Sequence, residues 1–204
     1  MRIHDVTRPM VAGMPVWPGD PPCRCGWYAR LPDDVANGAE LSFGAHTGTH
    51  VDGPLHVLMD GAPIGRVPLD AFIGPATVVD TGGAAEIGPE WLAAHLPGHC
   101  ERLLLRTRAW SEPGFPEGWP ALTPDAARLL VTRGVRLLGG DAPSPDPFES
   151  KDLPVHHVLL GAGIPIVENL LLDDVSPGAY ELIALPLRLA EADASPVRAV
   201  LLER

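Results

Sequence analysis

Residues 45–56 read AHTGTHVDGPLH and bring three imidazoles and one carboxylate, those of His46, His50, His56 and Asp52, into a few positions. A helix would put His46 and His50 on one face at a spacing of four, but Asp52 would point away from that face. The two glycines and the proline of this stretch also disfavour a helix interior. In an extended chain, the even-numbered positions 46, 50, 52 and 56 share one face. The sequence therefore predicts an extended segment that presents these four side chains together.

The residue types in this motif indicate a metal site. Imidazole nitrogen and carboxylate oxygen suit zinc or a similar divalent ion, and three protein ligands leave a position open for water. The motif has no cysteine, which argues against a closed structural site. The alternative is that these are surface histidines, or hydrogen-bonded core histidines in a turn. Eight histidines in 204 residues would seldom place three on one face beside an aspartate, so we favour the metal site.

Length and composition bound the kind of protein. The chain has 204 residues, of which 46% are apolar, and this is enough for one substantial core. No internal repeat divides it, so we expect a single domain over residues 1–204. The 24 prolines and 22 glycines imply many turns between short elements, which fits an irregular α/β chain better than a helical bundle. We expect the α/β fold to be a mixed β-structure with flanking helices. A net charge of −11, without a basic cluster, argues against a nucleic-acid partner.

The N-terminus and the cysteines indicate the compartment. The opening residues MRIHD carry charge where a signal peptide needs an apolar core, and no apolar run approaches the roughly 18 residues of a membrane span. We therefore expect a cytoplasmic protein that does not enter a membrane. Cys23 and Cys25 are too close for an easy disulfide and Cys100 lies far off, so free thiols are expected. Thiolate metal binding by Cys23 and Cys25 stays an alternative, although no second Cys or His pair lies nearby.

Apolar patterns predict a series of short strands and helices. Residues 40–45 alternate as in a half-buried strand, which would deliver His46 to the site. The strongest helix signal begins with Thr123 as N-cap and Pro124 at the first helical position, and it ends at Gly134. Helices and strands alternate in the second half, which indicates βαβ units. The other predicted helices cover residues 89–96 and 153–160, and the other predicted strands cover residues 23–31, 72–80, 102–107, 135–140, 164–167, 180–187 and 196–202.

Further candidates for the site lie outside the motif. Glu168 closes an apolar strand, where a charge costs stability unless it is paired or bound to a metal. His156 and His157 lie on a predicted helix, where a histidine pair can equally be solvated. Trp17, in the turn PVWPGD, either caps the edge of the core or offers a flat face to a ligand. Ser144 follows a predicted strand end, where α/β folds often place pocket residues.

The motif resembles the His-x-Gly-Thr-His-x-Asp-x-Pro-x-His signature of the cyclase-like metal-dependent hydrolases, a family that includes bacterial kynurenine formamidases. The turn PVWPGD at residues 15–20 and the segment DASPVRAV at residues 193–200 are also similar to family sequences, so the resemblance covers nearly the whole chain. It implies a cyclase-like fold of the swivelling β/β/α type. It also implies a homodimer with two divalent metal ions per subunit, which are zinc in the family members.

The resemblance carries the metal ligands over residue by residue. Asp52 and Glu168 would bridge the two ions, and the spacing of twelve residues to Glu168 selects His156 over His157. His46 and His50 would complete the coordination of the first ion, and His156 would complete that of the second. The implied ligand set is His46, His50, Asp52, His156 and Glu168.

The implied activity is zinc-dependent hydrolysis of N-formyl-L-kynurenine to L-kynurenine and formate in tryptophan degradation. A metal-bound hydroxide would attack the formyl carbon, His56 would act as an unligated general acid/base, and Trp17 would pack against the aryl ring. Two alternatives stay open. One is another amide or lactam hydrolase of the same family, such as one acting on isatin. The other is a non-catalytic metal-binding module, against which the free His56 argues because a storage site needs no base.

Overall fold

Short strands make up most of the regular structure in the computed structural model, which describes residues 1–110 and 114–203. The helices are α1 (Pro89–His95), α2 (Pro124–Thr132) and α3 (Pro154–Gly161), and 3-10 turns cover Pro54–His56, Ile64–Arg66 and Leu69–Ala71. In chain order the strands are β1 (Arg2–Asp5), β2 (Arg24–Ala29), β3 (Gly38–Ser42), β4 (His50–Asp52), β5 (Ile73–Asp80), β6 (Glu86–Ile87), β7 (Arg102–Arg106), β8 (Ala121–Leu122), β9 (Leu137–Gly140), β10 (Ile166–Glu168), β11 (Gly178–Ile183), β12 (Ala194–Pro196) and β13 (Val200–Glu203).

Nine of these strands form one mixed sheet in the order β1-β13-β11-β5-β7-β9-β10-β4-β12. The four central neighbours β5, β7, β9 and β10 are parallel, and the strands on both flanks pair antiparallel. Parallel neighbours need a crossover connection. Helices α1, α2 and α3 lie in the three crossovers, which confirms the βαβ units expected for the second half of the chain.

Side chains alternate between the two faces of the sheet and fill a separate core on each. Leu103 and Leu105 of β7 pack under the helices with Ile166 of β10, whereas Leu104 points to the opposite core with Val167. This alternation is the period of two that a strand imposes. The predicted fold class, a mixed β-structure with flanking helices, is confirmed.

Helix α2 shows why the strongest helix prediction is confirmed. The Thr123 hydroxyl accepts a hydrogen bond from the backbone N–H of Ala126 at 3.1 Å, which satisfies one of the free amides at the helix start. Pro124 occupies the first turn, and Gly134 takes a φ of +73° just after the end. Each local signal agrees with the final structure.

Two strand predictions are wrong. The strand expected over residues 40–45 runs instead from Gly38 to Ser42, pairs with β2 outside the main sheet, and leaves Leu41 62% exposed. It ends before His46, which a turn delivers to the site. The strand expected over residues 196–202 is divided between β12 and β13.

Cys23, Cys25 and Cys100 are all free, so the prediction of free thiols is confirmed. Over residues 1–110 and 114–203, none of the helices is both long and apolar enough to span a bilayer.

Candidate metal centre

The pairing of β4 with β10 brings three of the predicted ligands together. Glu168 lies directly opposite His50 in the antiparallel register, and His50 and Asp52 share a face because they are two residues apart in a strand. His50 Nε2 lies 3.3 Å from Glu168 Oε2 and 3.4 Å from Asp52 Oδ1. All three side chains are buried.

A backbone carbonyl fixes the orientation of the His50 ring. His50 Nδ1 lies 2.9 Å from the carbonyl oxygen of Gly48. A carbonyl oxygen can only accept, so in the neutral ring Nδ1 carries the hydrogen and Nε2 presents its lone pair to the carboxylates. Gly48 adopts a φ of +67°, a conformation that glycine takes at little cost.

Helix α3 contributes His156 from the opposite side of the site. Its Nε2 lies 3.2 Å from Glu168 Oε1 and 3.5 Å from Asp52 Oδ2. The neighbouring His157 is exposed, so the structure brings the first of the two histidines to the cluster and leaves the second in solvent.

Asp146, which no sequence pattern indicates as a site residue, holds His156 in place. This fully buried carboxylate accepts a hydrogen bond from His156 Nδ1 at 2.6 Å and from the backbone N–H groups of Val155 and His156 at 2.9 and 3.1 Å. It therefore satisfies amides at the start of α3 and fixes the tautomer of His156.

His46 and His56 reach the site from turns, which corrects the prediction that positions 46, 50, 52 and 56 share one extended face. The extended pattern holds for His50 and Asp52 in β4, whereas His46 lies in the turn before it and His56 in the 3-10 turn after it. Gly48 and Pro54 break the period of two on either side of β4. His46 Nδ1 nevertheless lies 2.9 Å from Asp52 Oδ1.

One further acid, Asp193, joins these two histidines and was also missed from the sequence. Its Oδ2 lies 2.8 Å from His46 Nε2 and 3.2 Å from His56 Nδ1. The ring of His56 lies 4.4 Å from that of His46 and 5.5 Å from that of His156, centroid to centroid. Donor atoms of His46, Asp52 and His56 lie within 4.8 Å of one another, so distance alone also permits His56 as a ligand.

The buried donors fit a divalent cation. His50 Nε2, both oxygens of Asp52 and Glu168 Oε1 are buried, and their contacts with one another and with the neighbouring imidazoles, at 2.9 to 3.5 Å, are not well-aligned hydrogen bonds. Such buried polar atoms are costly unless a cation, either a proton on the imidazoles or a metal ion, compensates them. Ligand bonds of about 2.0 to 2.1 Å in a tetrahedron place the donors about 3.3 Å apart, close to the 3.2 to 3.5 Å separations of the buried donors here. The two candidate groups of ligands in the described residues contain no cysteine.

The electrostatics of the cluster agree with that fit. Burial lowers the pKa of His46 and His50, but Asp52 with Asp193 raises the pKa of His46 to about 11, and Asp52 with Glu168 raises that of His50 to about 9. Burial acts to raise the pKa of Asp52, yet His46 and His50 hold it well below its usual range. Imidazolium protons thus neutralise the carboxylates when no metal does, and a metal has to displace them.

A cavity of about 660 Å³ opens above the cluster. His46, His50, His56, His156 and Glu168 lie at its base. Trp17 lies on the wall with its ring 5.4 Å from those of Phe115 and Phe148. The remaining wall residues include Arg8, Trp110, Ser144 and Lys151.

Comparison with known proteins identifies the class. A family model described as "Putative cyclase" matches residues 4–147, and the chain therefore belongs to the cyclase family, as the motif predicted. A kynurenine formamidase from Salinibacter ruber is 44% identical over 206 residues, covering 98% of this chain and 97% of the relative.

Solved structures have the same fold. A potential metal-dependent hydrolase with cyclase activity is 31% identical with a TM-score of 0.85, covering 98% of this chain and 96% of its own. Isatin hydrolase A from Labrenzia aggregata is 27% identical with a TM-score of 0.86, and the match covers 98% of this chain and 93% of the isatin hydrolase chain. The likeness to a metal-dependent hydrolase and the buried donor groups both support a divalent metal.

We expect the affinity for a divalent cation to rise with pH between 6 and 8. The imidazoles have pKa values above this range, so each proton that the metal displaces should strengthen binding by about tenfold per pH unit. Competition with a chromogenic chelator at three pH values measures this. His156→Ala should weaken binding, whereas the exposed neighbour substitution His157→Ala should not. An affinity independent of pH would contradict the assignment.

Proposed function

We propose that this chain is an arylformamidase that hydrolyses N-formyl-L-kynurenine to L-kynurenine and formate. The reaction belongs to tryptophan degradation, and we place the enzyme in the cytoplasm. Residues 1–204 act as one metal-dependent hydrolase domain. The observation that carries the proposal is a cluster of buried metal donors at the base of an aromatic pocket, in a chain 44% identical over 98% of its length to a kynurenine formamidase.

We propose that the cluster binds two zinc ions. The two oxygens of Asp52 face different histidines, Oδ1 towards His46 and His50 and Oδ2 towards His156. Glu168 divides in the same way, with Oε2 near His50 and Oε1 near His156. Two carboxylates that each place their two oxygens beside different histidines would suit two ions rather than one. When bound, the ions lower the pKa of water and polarise a carbonyl oxygen.

His56 supplies proton transfer in this proposal. Hydrolysis adds water to the formyl carbon and breaks the carbon–nitrogen bond, and the leaving aryl amine gains a proton. An imidazole at the base of the cavity, hydrogen-bonded to Asp193 through Nδ1, can deliver that proton from Nε2. His46, His50, Asp52, His156 and Glu168 complete a ligand set without it.

The pocket supports an aromatic substrate that carries a carboxylate. Trp17 and its aromatic neighbours offer flat apolar faces for an aryl ring. The Arg8 guanidinium lies 4.1 Å over the ring of Trp110, and its Nε is buried without a hydrogen-bond partner among the described residues. Burial lowers the pKa of Arg8 to about 10, so it remains a cation at neutral pH. Together with Lys151 it favours the carboxylate of an amino-acid side arm.

The second candidate is hydrolysis of a cyclic amide such as isatin. The observation that favours this second reaction is the likeness to isatin hydrolase A, which has a TM-score of 0.86 at 27% identity. A metal-binding module without activity fits less well, because it has no use for a positioned, unligated His56.

The homodimer implied by the family resemblance also belongs to the proposal. The β2–β3 hairpin lies outside the main sheet and exposes Trp27, Tyr28 and Leu41. Large apolar side chains grouped on a surface are typical of protein contacts, so this hairpin suits a subunit interface.

The substrate proposal is tested by comparing three compounds with zinc-loaded enzyme. We expect kcat/KM to be highest for N-formyl-L-kynurenine, lower for N-formyl-2-aminoacetophenone, which has the same formamide without the amino-acid arm, and lowest for isatin. Absorbance of the released amine and of opened isatin gives the rates. A higher kcat/KM for isatin would contradict the proposed formamidase activity and support hydrolysis of a cyclic amide instead.

His56→Ala should lower kcat by about 10²- to 10⁴-fold, because loss of a positioned acid/base typically has this effect. The metal content, measured by plasma mass spectrometry, should not change. His95→Ala, on the surface of α1, serves as the matched control with normal kcat. If the His56→Ala variant lost metal together with activity, His56 would be a metal ligand. If the variant kept full activity, His56 would have no part in the reaction.

Trp17→Ala should raise KM for an aryl formamide by about two- to tenfold with a smaller effect on kcat, because ring contacts bind the ground state and the transition state alike. Trp91→Ala is the matched control, since Trp91 stacks on His95 away from the pocket. Steady-state kinetics of both variants decide the point, and an unchanged KM would exclude Trp17 from substrate binding.

A further inference from the structure

One carboxylate oxygen contacts two imidazoles that have different tasks in the proposed reaction. Asp193 Oδ2 lies 2.8 Å from Nε2 of His46, a proposed metal ligand, and 3.2 Å from Nδ1 of His56, the proposed acid/base. Nothing in the spacing of the motif requires this acid, which lies 147 residues after His46.

The backbone around Asp193 is fixed to the motif itself. The N–H of Gly53 donates to the carbonyl oxygen of Asp193 at 2.8 Å, and the N–H of Ile64 donates to that of Ala192 at 2.9 Å. The next residue, Ala194, pairs with Asp52 in the sheet. These bonds place the Asp193 side chain against the two turns that carry His46 and His56.

We propose that Asp193 is a positioning residue that sets the tautomers of His46 and His56 together. The inference rests on the proposed roles of these two histidines. A carboxylate only accepts, so each ring nitrogen that faces it carries the hydrogen. In the neutral rings, His56 then holds its hydrogen on Nδ1 and turns Nε2 to the cavity. His46 holds its hydrogen on Nε2 and turns the Nδ1 lone pair towards Asp52.

The shared oxygen gives Asp193 a role that Asp146 does not have. Asp146 fixes one histidine, His156, and also accepts two backbone N–H groups at the start of α3, so it acts on one ligand and on the helix. Asp193 joins a ligand to the acid/base. Loss of Asp193 should therefore impair proton transfer as well as metal binding, whereas loss of the Asp146 charge should act through the metal alone.

The tautomer of His56 gives a direct test that does not depend on turnover. Long-range proton–nitrogen correlation spectra of ¹⁵N-labelled, zinc-loaded protein distinguish the two neutral tautomers, and His56→Ala assigns the signal. We expect the Nδ1–H form in the wild type and loss of that preference in Asp193→Ala. A wild-type Nε2–H form, or an unchanged Nδ1–H form in the variant, would overturn the inference. Asp193→Leu, which has a similar shape but no hydrogen-bond acceptor, provides a second variant should Asp193→Ala fold poorly.

A double-substitution cycle then tests whether Asp193 acts through His56 during catalysis. With zinc at saturation, Asp193→Ala should lower kcat by about 10- to 100-fold in the wild-type background, the usual effect of removing a partner that orients a functional histidine. In the His56→Ala background the same substitution should lower kcat by less than about threefold. Equal losses in both backgrounds would show that Asp193 does not act through His56.

Asp146→Asn is the matched control for the cycle, and its effect on kcat should be the same with and without His56. Failure of the proposed function remains distinguishable from failure of this inference. If His56→Ala keeps full activity, the proposed acid/base role fails, while the tautomer measurement still decides whether Asp193 sets the ring.

Discussion

The antiparallel pairing of β4 with β10 is the contact on which the site depends. It sets Glu168 opposite His50 and turns Asp52 to the same face. A slip of one residue in this register would move His50 and Asp52 into the apolar core on the other side, where Val51 now packs. The apolar neighbours Val51 and Val167 thus fix the register, and the register in turn holds two buried carboxylates close to imidazole nitrogens.

The part of the site that could be predicted from the sequence is the part with local chemistry. The motif carries its donors within a few residues, and the period of two places His50 and Asp52 correctly because they lie in a strand. The same reasoning fails for His46 and His56, since the turn at Gly48 and the 3-10 turn that begins at Pro54 end the strand on both sides. Helix α2 was predictable because its cap, its proline and its terminal glycine are all local signals.

The residues that were missed depend on partners distant in the chain. Asp193 belongs to the site because it contacts His46 and His56, which lie 147 and 137 residues away in the sequence. Asp146 contacts His156 across ten positions, through an irregular segment without periodicity. The prediction that β3 is half-buried is wrong for a related reason. Alternation of apolar residues indicates a strand but not whether another layer of the protein covers it, and Leu41 faces solvent.

The buried donors come from segments far apart in the chain, and this has a consequence for the lifetime of the protein. A cation bound by His50, His156 and Glu168, as proposed, would close long loops in a chain whose cysteines are all free, as a disulfide does. A covalent cross-link that closes a loop of about 100 residues stabilises a protein by about 4 to 5 kcal/mol in the chain-entropy model. Unlike a disulfide, such a metal cross-link would be reversible. Removal of the ion by a chelator would therefore loosen the tertiary structure around β4 and α3, and the resistance of the chain to proteases would vary with the supply of metal in its surroundings.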